Sequence, residues 1–283
     1  MTGLSCQEML QAARTQGLDR LDAQLLLLHA LDRPASDRAW LLAHDDEPLA
    51  AAVCDAFQAF SRRRAAGEPL AYIVGYKEFF GLRLSVDGRV LVPRPDTETL
   101  VQWALDLLQD RTMAAKPRIL DLGTGSGAIA LAIAHSLQAA GRAAQVLALD
   151  ASADALAVAS GNASALRLEL QFVQGHWLDE VSGHFDLIAS NPPYIASADP
   201  HLAALVHEPL QALSAGSDGL DDIRQIIAQA PRHLRPGGWL LLEHGYDQAA
   251  SVCAVLAARG FQQVQSRLDL AGIARCSGGQ WTN

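Results

Sequence analysis

The stretch Asn191-Pro192-Pro193-Tyr194 follows the apolar run FDLIAS, and its residue types suit one task, holding a planar NH2 group. The Asn191 side-chain oxygen and the Pro192 carbonyl can each accept one N–H from such a group, fixing the nitrogen and aiming its lone pair. Two consecutive prolines remove competing donors and stiffen the chain. The Tyr194 ring can stack on a flat amide or base and keep water away. A nitrogen conjugated to a carbonyl or a ring is a poor nucleophile. Positioning, rather than a metal or a general base, is therefore the expected contribution, since the proton can leave to solvent after the nitrogen has reacted.

A second constellation, Asp121-Leu122-Gly123-Thr124-Gly125-Ser126-Gly127, leaves another apolar run and opens a helix at Ala128. Alternate glycines allow a tight turn and close approach to a ligand at a helix N-terminus. Gly125, Gly127 and Ala130 also satisfy the dinucleotide fingerprint, so a nicotinamide cofactor has to be weighed. Asp121 tilts the choice toward S-adenosylmethionine: a carboxylate repels a pyrophosphate but helps to hold an ammonium, by charge or through water. Asp150 ends the next strand, where it can accept from both hydroxyls of a ribose or merely cap the helix that follows. Trp177, after the third strand, can line an adenine pocket or be an ordinary core residue. The candidate cofactor contacts among these residues are Gly123, Thr124, Gly125, Ser126, Gly127, Asp150 and Trp177. Asn191, Pro192, Pro193 and Tyr194 are the candidate substrate contacts, with Asn191, Pro192 and Tyr194 carrying the chemistry.

These residues need a scaffold. From Pro117 onward RILDL, QVLALD, LQFVQG, FDLIAS and GWLLLEH alternate with helical segments, which predicts a mostly parallel sheet covered by helices on both faces, with ligands outside the carboxyl ends of the strands. Residues 1–75 carry helical spacing only, including Leu18, Leu21, Leu25 and Leu28, then Val53, Phe57 and Phe60 before Gly67 and Pro69. Between the two, Leu82, Leu84 and Val86 alternate, Asp87-Gly88 supplies a turn, and Val90 and Val92 resume, which predicts a hairpin. The reading is an α/β chain with a Rossmann-like sheet: a small all-α bundle over 1–75, a hairpin linker over 76–95 and a cofactor-binding domain over 96–283.

With this order of motifs the chain resembles Class I S-adenosylmethionine-dependent methyltransferases that modify exocyclic or amide nitrogen. More narrowly, it is similar to the release factor glutamine N5-methyltransferase family, through LVPRPDTE (91–98), DLGTGSGAIA (121–130), SNPPYI (190–195), HEPLQAL (207–213) and LLLEHG (240–245). The resemblance covers nearly the whole chain. It implies S-adenosylmethionine as cofactor, touched by Gly123 to Gly127, Asp150, Trp177 and also Asn191, the glutamine of the Gly-Gly-Gln loop of peptide chain release factors as substrate, held by Asn191 to Tyr194, and a helical N-terminal domain that grips the factor. The chain departs from the family pattern at His176, where relatives commonly carry an acidic residue beside the tryptophan, so a polar contact to the adenine amino group is not expected from that position.

Other classes fit less well. The chain of 283 residues is half hydrophobic, 19% charged and carries a formal charge of −9, which disfavours a sequence-independent hold on nucleic acid and weighs against the alternative substrate, the N6 amine of adenine in DNA or RNA. A nicotinamide oxidoreductase would lack a hydride-site constellation, and a purely binding module would not need Asn191. Cys6, Cys54, Cys253 and Cys276 show no metal or redox spacing, the nine histidines form no HExxH pattern, and no apolar run approaches a membrane span. The start MTGLSCQEML lacks the order of a signal peptide. The expectation is a cytoplasmic, metal-free enzyme. Arg62-Arg63-Arg64 reads as a solvated helix end, and Ser277-Gly278-Gly279-Gln280 as part of a Gly-rich strand rather than a self-substrate. Glu243 and His244 carry no assigned role.

Overall fold

The computed structural model describes residues 4–109 and 114–283. The chain forms two compact units, Met1–Tyr76 and Lys77–Asn283. Among the described residues the first contains five helices: α1 (Cys6–Thr15), α2 (Arg20–Ala30), α3 (Arg38–Ala43), α4 (Ala51–Ala65) and α5 (Leu70–Val74). Ser5 and Glu8 form a reciprocal capping box at the start of α1. The core gathers Met9, Leu26, Leu27, Leu41 and Phe57. The predicted leucine stripe is displaced: Leu21 is exposed, and Leu18 precedes the helix. The Asp19 carboxylate accepts from the Leu21 amide at 2.8 Å and starts α2 only at Arg20. Because α2 packs on α1, α3, α4 and α5, its buried arc runs through Ala23, Leu26, Leu27 and Leu28. In the basic run, Arg63 pairs with Glu68 and Arg64 with Asp22.

A hairpin of β1 (Tyr76–Phe79) and β2 (Leu82–Ser85) follows, its first strand starting at the last residue of the first unit. Its turn falls at Phe80-Gly81, both with positive φ, as a two-residue hairpin loop requires. Sequence reasoning placed this turn at Asp87-Gly88. There the Asp87 carboxylate instead accepts from the Arg89 amide, and the amides that would have continued a strand are taken elsewhere. Ser85 N–H donates to the Asn162 side chain, and Val92 N–H to the Glu208 carboxylate. Residues 86–92 are therefore an irregular strap with no strand of their own.

Next come α6 (Thr97–Leu108), β3 (Arg118–Leu122), α7 (Ala128–Ala139), β4 (Gln145–Asp150), α8 (Ala153–Leu166), β5 (Gln171–Gln174), β6 (Phe185–Ser190), α9 (Asp221–Gln229), β7 (Leu234–Glu243), α10 (Ala249–Arg259), β8 (Gln262–Leu268) and β9 (Ala274–Trp281). The sheet order is β5-β4-β3-β6-β7-β9-β8; the first five strands run parallel, while β9 lies antiparallel between β7 and β8. The mostly parallel sheet read from the sequence is present. Its strands alternate between two cores: Ile119, Leu187, Trp239 and Leu241 face α6 and α7, while Leu120, Ile188, Leu240 and Leu242 face α9 and α10. The Ser277–Gln280 stretch lies inside β9, paired on both sides. A Cβ at Gly278 would meet the Leu240 carbonyl oxygen at 2.6 Å, so close strand approach explains the glycine there. No helix among the described residues is long and apolar enough to cross a membrane.

Candidate active site

The chain runs from β3 outward to β4 and β5, then returns to β6 on the other side of β3. This reversal opens a crevice at the carboxyl ends of β3 and β6, the usual ligand position in a doubly wound sheet. The glycine loop leaves β3, and Asn191-Pro192-Pro193-Tyr194 leaves β6. The two strand ends are level, with Leu122 opposite Ser190 and the Ser190 hydroxyl donating to the Leu122 carbonyl at 2.7 Å.

The glycine loop satisfies most of its own polar groups. Its three glycines all have positive φ, which a side chain would strain. Asp121 is fully buried beneath them and accepts from the Thr124 hydroxyl at 2.6 Å and the Ala130 amide at 3.1 Å. Burial pushes its carboxyl up to about 7, against the pull of those two donors. The Gly125 amide donates to Asp150 Oδ2 at 2.8 Å, the Thr124 amide to the Leu149 carbonyl and the Gly127 amide to the Thr124 carbonyl. These amides, and that of Ala130 in the first turn of α7, are occupied by the chain's own oxygens and not open to a phosphate, which suits a cofactor without one.

A cavity of about 360 Å³ opens above this loop, lined among others by Gly123, Gly125, Asp150, His176, Trp177 and Asn191. Of the predicted cofactor contacts, Thr124 and Ser126 are buried and Gly127 serves as the N-cap of α7, so these three lie behind the lining. Asp121 likewise folds the loop rather than lining the cavity. Asp150 is not the cap of α8; that is Ser152, whose hydroxyl accepts from the Ala155 amide, while Asp150 Oδ1 accepts from the Ser152 amide. Trp177 holds a left-handed backbone, its ring lies against Gly123, and its Nε1–H donates to Asp222 Oδ1 at 3.0 Å. Asp222, on α9, also lines the cavity, and burial raises its carboxyl pKa. An acidic group thus stands beside the tryptophan although position 176 is histidine. Sequence reading missed it because it comes from an element 45 residues away.

A second cavity, also about 360 Å³, is lined by Arg94, Tyr194, Ile195, Leu205 and Leu213 and shares Leu91, Asn191 and Ala212 with the first. Asn191 borders both spaces. Pro193 borders the first and Tyr194 the second, while Pro192 is buried and lines neither.

The turn depends on distant groups. Asn191 Nδ2 donates to the Thr97 hydroxyl oxygen at 3.2 Å, which leaves the amide oxygen for a ligand. Tyr194 Oη donates to Glu243 Oε1 at 3.4 Å, and burial raises the phenol pKa far above its ordinary value. The Tyr194 carbonyl accepts from Gln248 Nε2 at 3.0 Å. Gly219 passes so close that a Cβ would stand 2.1 Å from the same carbonyl oxygen. Beyond the turn, Ile195 exchanges backbone hydrogen bonds with Leu213 and Ala215. The LVPRPDTE and HEPLQAL segments meet beside it: Arg94 pairs with the buried Glu208 at 2.6 Å, and Asp96 with Arg275 at 3.3 Å.

His244 is fully buried and takes no part in the cavities. Its Nε2 lies 2.7 Å from the Ser277 hydroxyl and its Nδ1 2.9 Å from the Gly245 carbonyl. Burial lowers its pKa, so it is a neutral imidazole joining β7 to β9.

The chain has known relatives in sequence and in fold. The family description "PrmC N-terminal domain" matches residues 5–75, and "Methyltransferase small domain" matches residues 102–256. Among solved structures, the hMettl16 catalytic domain in complex with MAT2A 3′UTR hairpin 6 has a TM-score of 0.58 at 19% identity, over 79% of this chain and 82% of that one. The T. Thermophilus 16S rRNA N2 G1207 methyltransferase (RsmC), in complex with AdoMet and guanosine, has a TM-score of 0.51 at 19% identity, over 73% and 49%. These share the fold. Curated relatives are more similar: the release factor glutamine methyltransferase of Xylella fastidiosa (strain Temecula1) is 50% identical over 95% of this chain and 98% of its own length. That of Bordetella pertussis is 48% identical over 93% and 95%. Sequence identity at this level over nearly full length, joined to the glycine loop, the Asn-Pro-Pro-Tyr turn and the doubly wound sheet, shows that the chain belongs to the release factor glutamine methyltransferase family.

Proposed function

We propose that this methyltransferase transfers a methyl group from S-adenosylmethionine to the side-chain amide N5 of the glutamine in the Gly-Gly-Gln loop of peptide chain release factors, in the cytoplasm, with residues 1–75 contributing to the grip on the factor. The observation that carries the reading is the place of Asn191 on the border of two cavities. One is edged by the glycine loop, Asp150 and Trp177, the other by Tyr194 and Arg94.

The first cavity fits the cofactor by its donor set. The loop amides are already bonded to protein oxygens, Asp150 stands at the strand end where a ribose is held, and Trp177 offers an aromatic wall. When bound, S-adenosylmethionine supplies an electrophilic methyl group on a sulfonium. Asp150 has acceptor capacity left for ribose hydroxyls, since each carboxylate oxygen uses one of its lone pairs on a backbone amide.

At the border of the second cavity the Asn191 amide oxygen, with the carbonyl of the adjoining Pro192, accepts the two N–H groups of the glutamine amide. This holds its nitrogen at the border and turns its lone pair toward the first cavity. Tyr194 covers the amide plane and excludes water. The nitrogen becomes acidic as the new N–C bond forms, and its proton leaves to solvent, so no side chain has to take it.

The relatives' names support glutamine over adenine as substrate. The test is a labelled-methyl assay with a release factor, its loop Gln-to-Ala variant and duplex DNA. Label on the intact factor alone is expected; label on DNA, or label indifferent to the loop glutamine, would overturn the proposal.

A further inference from the structure

Among the residues lining the second cavity, only Arg94 carries a charge. Two others, Asn191 and Tyr194, have polar side chains, and the rest are apolar. Both of those turn their donors into the protein: Asn191 Nδ2 donates to the Thr97 hydroxyl, and the Tyr194 hydroxyl to Glu243. A primary amide brings two N–H groups and one carbonyl oxygen. The Asn191 oxygen and the Pro192 carbonyl answer the N–H groups alone, and a carbonyl enclosed without a donor costs binding. Arg94 is the side chain placed to meet that oxygen.

Its guanidinium is held from behind. Nη2 donates to Glu208 Oε1 at 2.6 Å, and the other Glu208 oxygen accepts from the Val92 amide at 3.1 Å. The Glu208 side chain is 3% exposed, that of Arg94 35%. A guanidinium has five N–H groups; this pair uses one, and the other four meet no acceptor among the described residues. Glu208 also offsets the positive charge. The cavity therefore offers strong donors without a net charge beside them, which suits a neutral amide better than a carboxylate or a phosphate.

We infer that Arg94 is a substrate-binding residue, donating from its guanidinium to the side-chain carbonyl oxygen of the glutamine whose nitrogen Asn191 holds. The inference rests on the substrate reading above. It completes the recognition of an amide, with acceptors for the two N–H groups and a donor for the oxygen. A plain amine brings no such oxygen and would forgo the contact.

The chemistry also decides which kinetic constant the contact serves. In the resting amide the nitrogen lone pair is shared with the carbonyl, so the oxygen carries partial negative charge. As the nitrogen bonds to the methyl carbon, that pair leaves the conjugation and the oxygen loses charge. The hydrogen bond from Arg94 is then no stronger in the transition state than in the bound substrate. It contributes to KM rather than to kcat, the reverse of what the Asn191 oxygen does.

The test measures kcat and KM for a release factor, together with Tm, using the full chain and four variants. Arg94→Met should raise KM about 10- to 100-fold and leave kcat within about threefold of wild type. It also strands the buried Glu208 and should lower Tm. The Arg94→Met/Glu208→Gln pair removes that stranded charge, so it should regain most of the Tm and keep the raised KM. Glu208→Gln alone still offers Arg94 an amide oxygen and should change KM less than about fivefold. Arg94→Lys, a donor without the fork, should fall between wild type and Arg94→Met. An unchanged KM in Arg94→Met, a KM that returns to wild type along with Tm in the pair, or a loss confined to kcat overturns the inference. Absence of transfer to the loop glutamine by the wild type itself would instead fail the substrate reading, and this inference with it.

Discussion

The glycine loop and the Asn-Pro-Pro-Tyr turn leave adjacent strands at the same edge of the sheet, yet they are held by opposite means. The loop is stabilised from within and close by: Asp121 and Asp150, at the ends of its own strand and the next, take its hydroxyl and amide donors. The turn owns few of its supports. Thr97, Gly219, Glu243 and Gln248 come from four separate places in the chain. On the proposed function the difference follows from what each would have to do. A loop that only has to present an open cradle can be locally complete, whereas a turn that must leave its acceptors free for a substrate has to be propped from behind.

Breaking the turn at its centre should have the largest effect. Asn191→Ala removes an acceptor at the reacting nitrogen and should cut kcat by about 10²- to 10³-fold, while isothermal titration shows cofactor affinity far less changed. Retained turnover would separate the turn from the chemistry. Next is Gly219→Ala, remote in sequence and outside the chemistry. Its Cβ would fall on the Tyr194 carbonyl at a backbone with φ of 73°, so a fall of about 100-fold in kcat and a loss of about 1–3 kcal/mol in denaturant melts are expected. An unaffected enzyme would show that the turn needs no prop at that point.

The loop should answer differently. Asp150→Ala frees the Gly125 and Ser152 amides and removes the acceptors for a ribose, so cofactor affinity should weaken by at least about tenfold with kcat at saturation much closer to wild type. A loss confined to kcat would contradict the division between the two regions.

The effect on turnover is smallest where pH acts through stability. Asp121 has its folded pKa raised to about 7, chiefly by burial, above the value of about 3.9 in the unfolded chain. The folded state therefore binds the proton more tightly, and this contribution to stability is full below about pH 4 and lost as pH rises through about 7. Asp121→Asn should flatten that part of the Tm profile between about pH 5 and 8, the remainder coming from Glu243, which is shifted the same way. An unchanged slope would mean that Asp121 stays ionised in its burial.

The same contrast explains what the sequence made legible. The sheet, its helices and the glycine loop are written in short-range patterns: apolar runs of strand length, then Gly123, Gly125 and Gly127 at a helix start. Asn191 and Tyr194 were legible because residue type alone limits what they can do. Thr97, Asp222, Glu243 and Gln248 were not, since an isolated polar residue acquires meaning only when the fold brings it to a partner. The hairpin was misplaced for a related reason. Asp87-Gly88 has the composition of a turn, but the amides around it are taken by Asn162 and Glu208, 77 and 116 residues away.

The central claim, that Asn191 holds a glutamine amide for methylation, is most directly tested by peptide mass spectrometry of a release factor after incubation with S-adenosylmethionine and either wild-type or Asn191→Ala enzyme. The account predicts a single increment of about 14 Da on the glutamine of the Gly-Gly-Gln loop with wild type, and very little with the variant at equal time. An increment on any other residue, or equal modification by both enzymes, would contradict it.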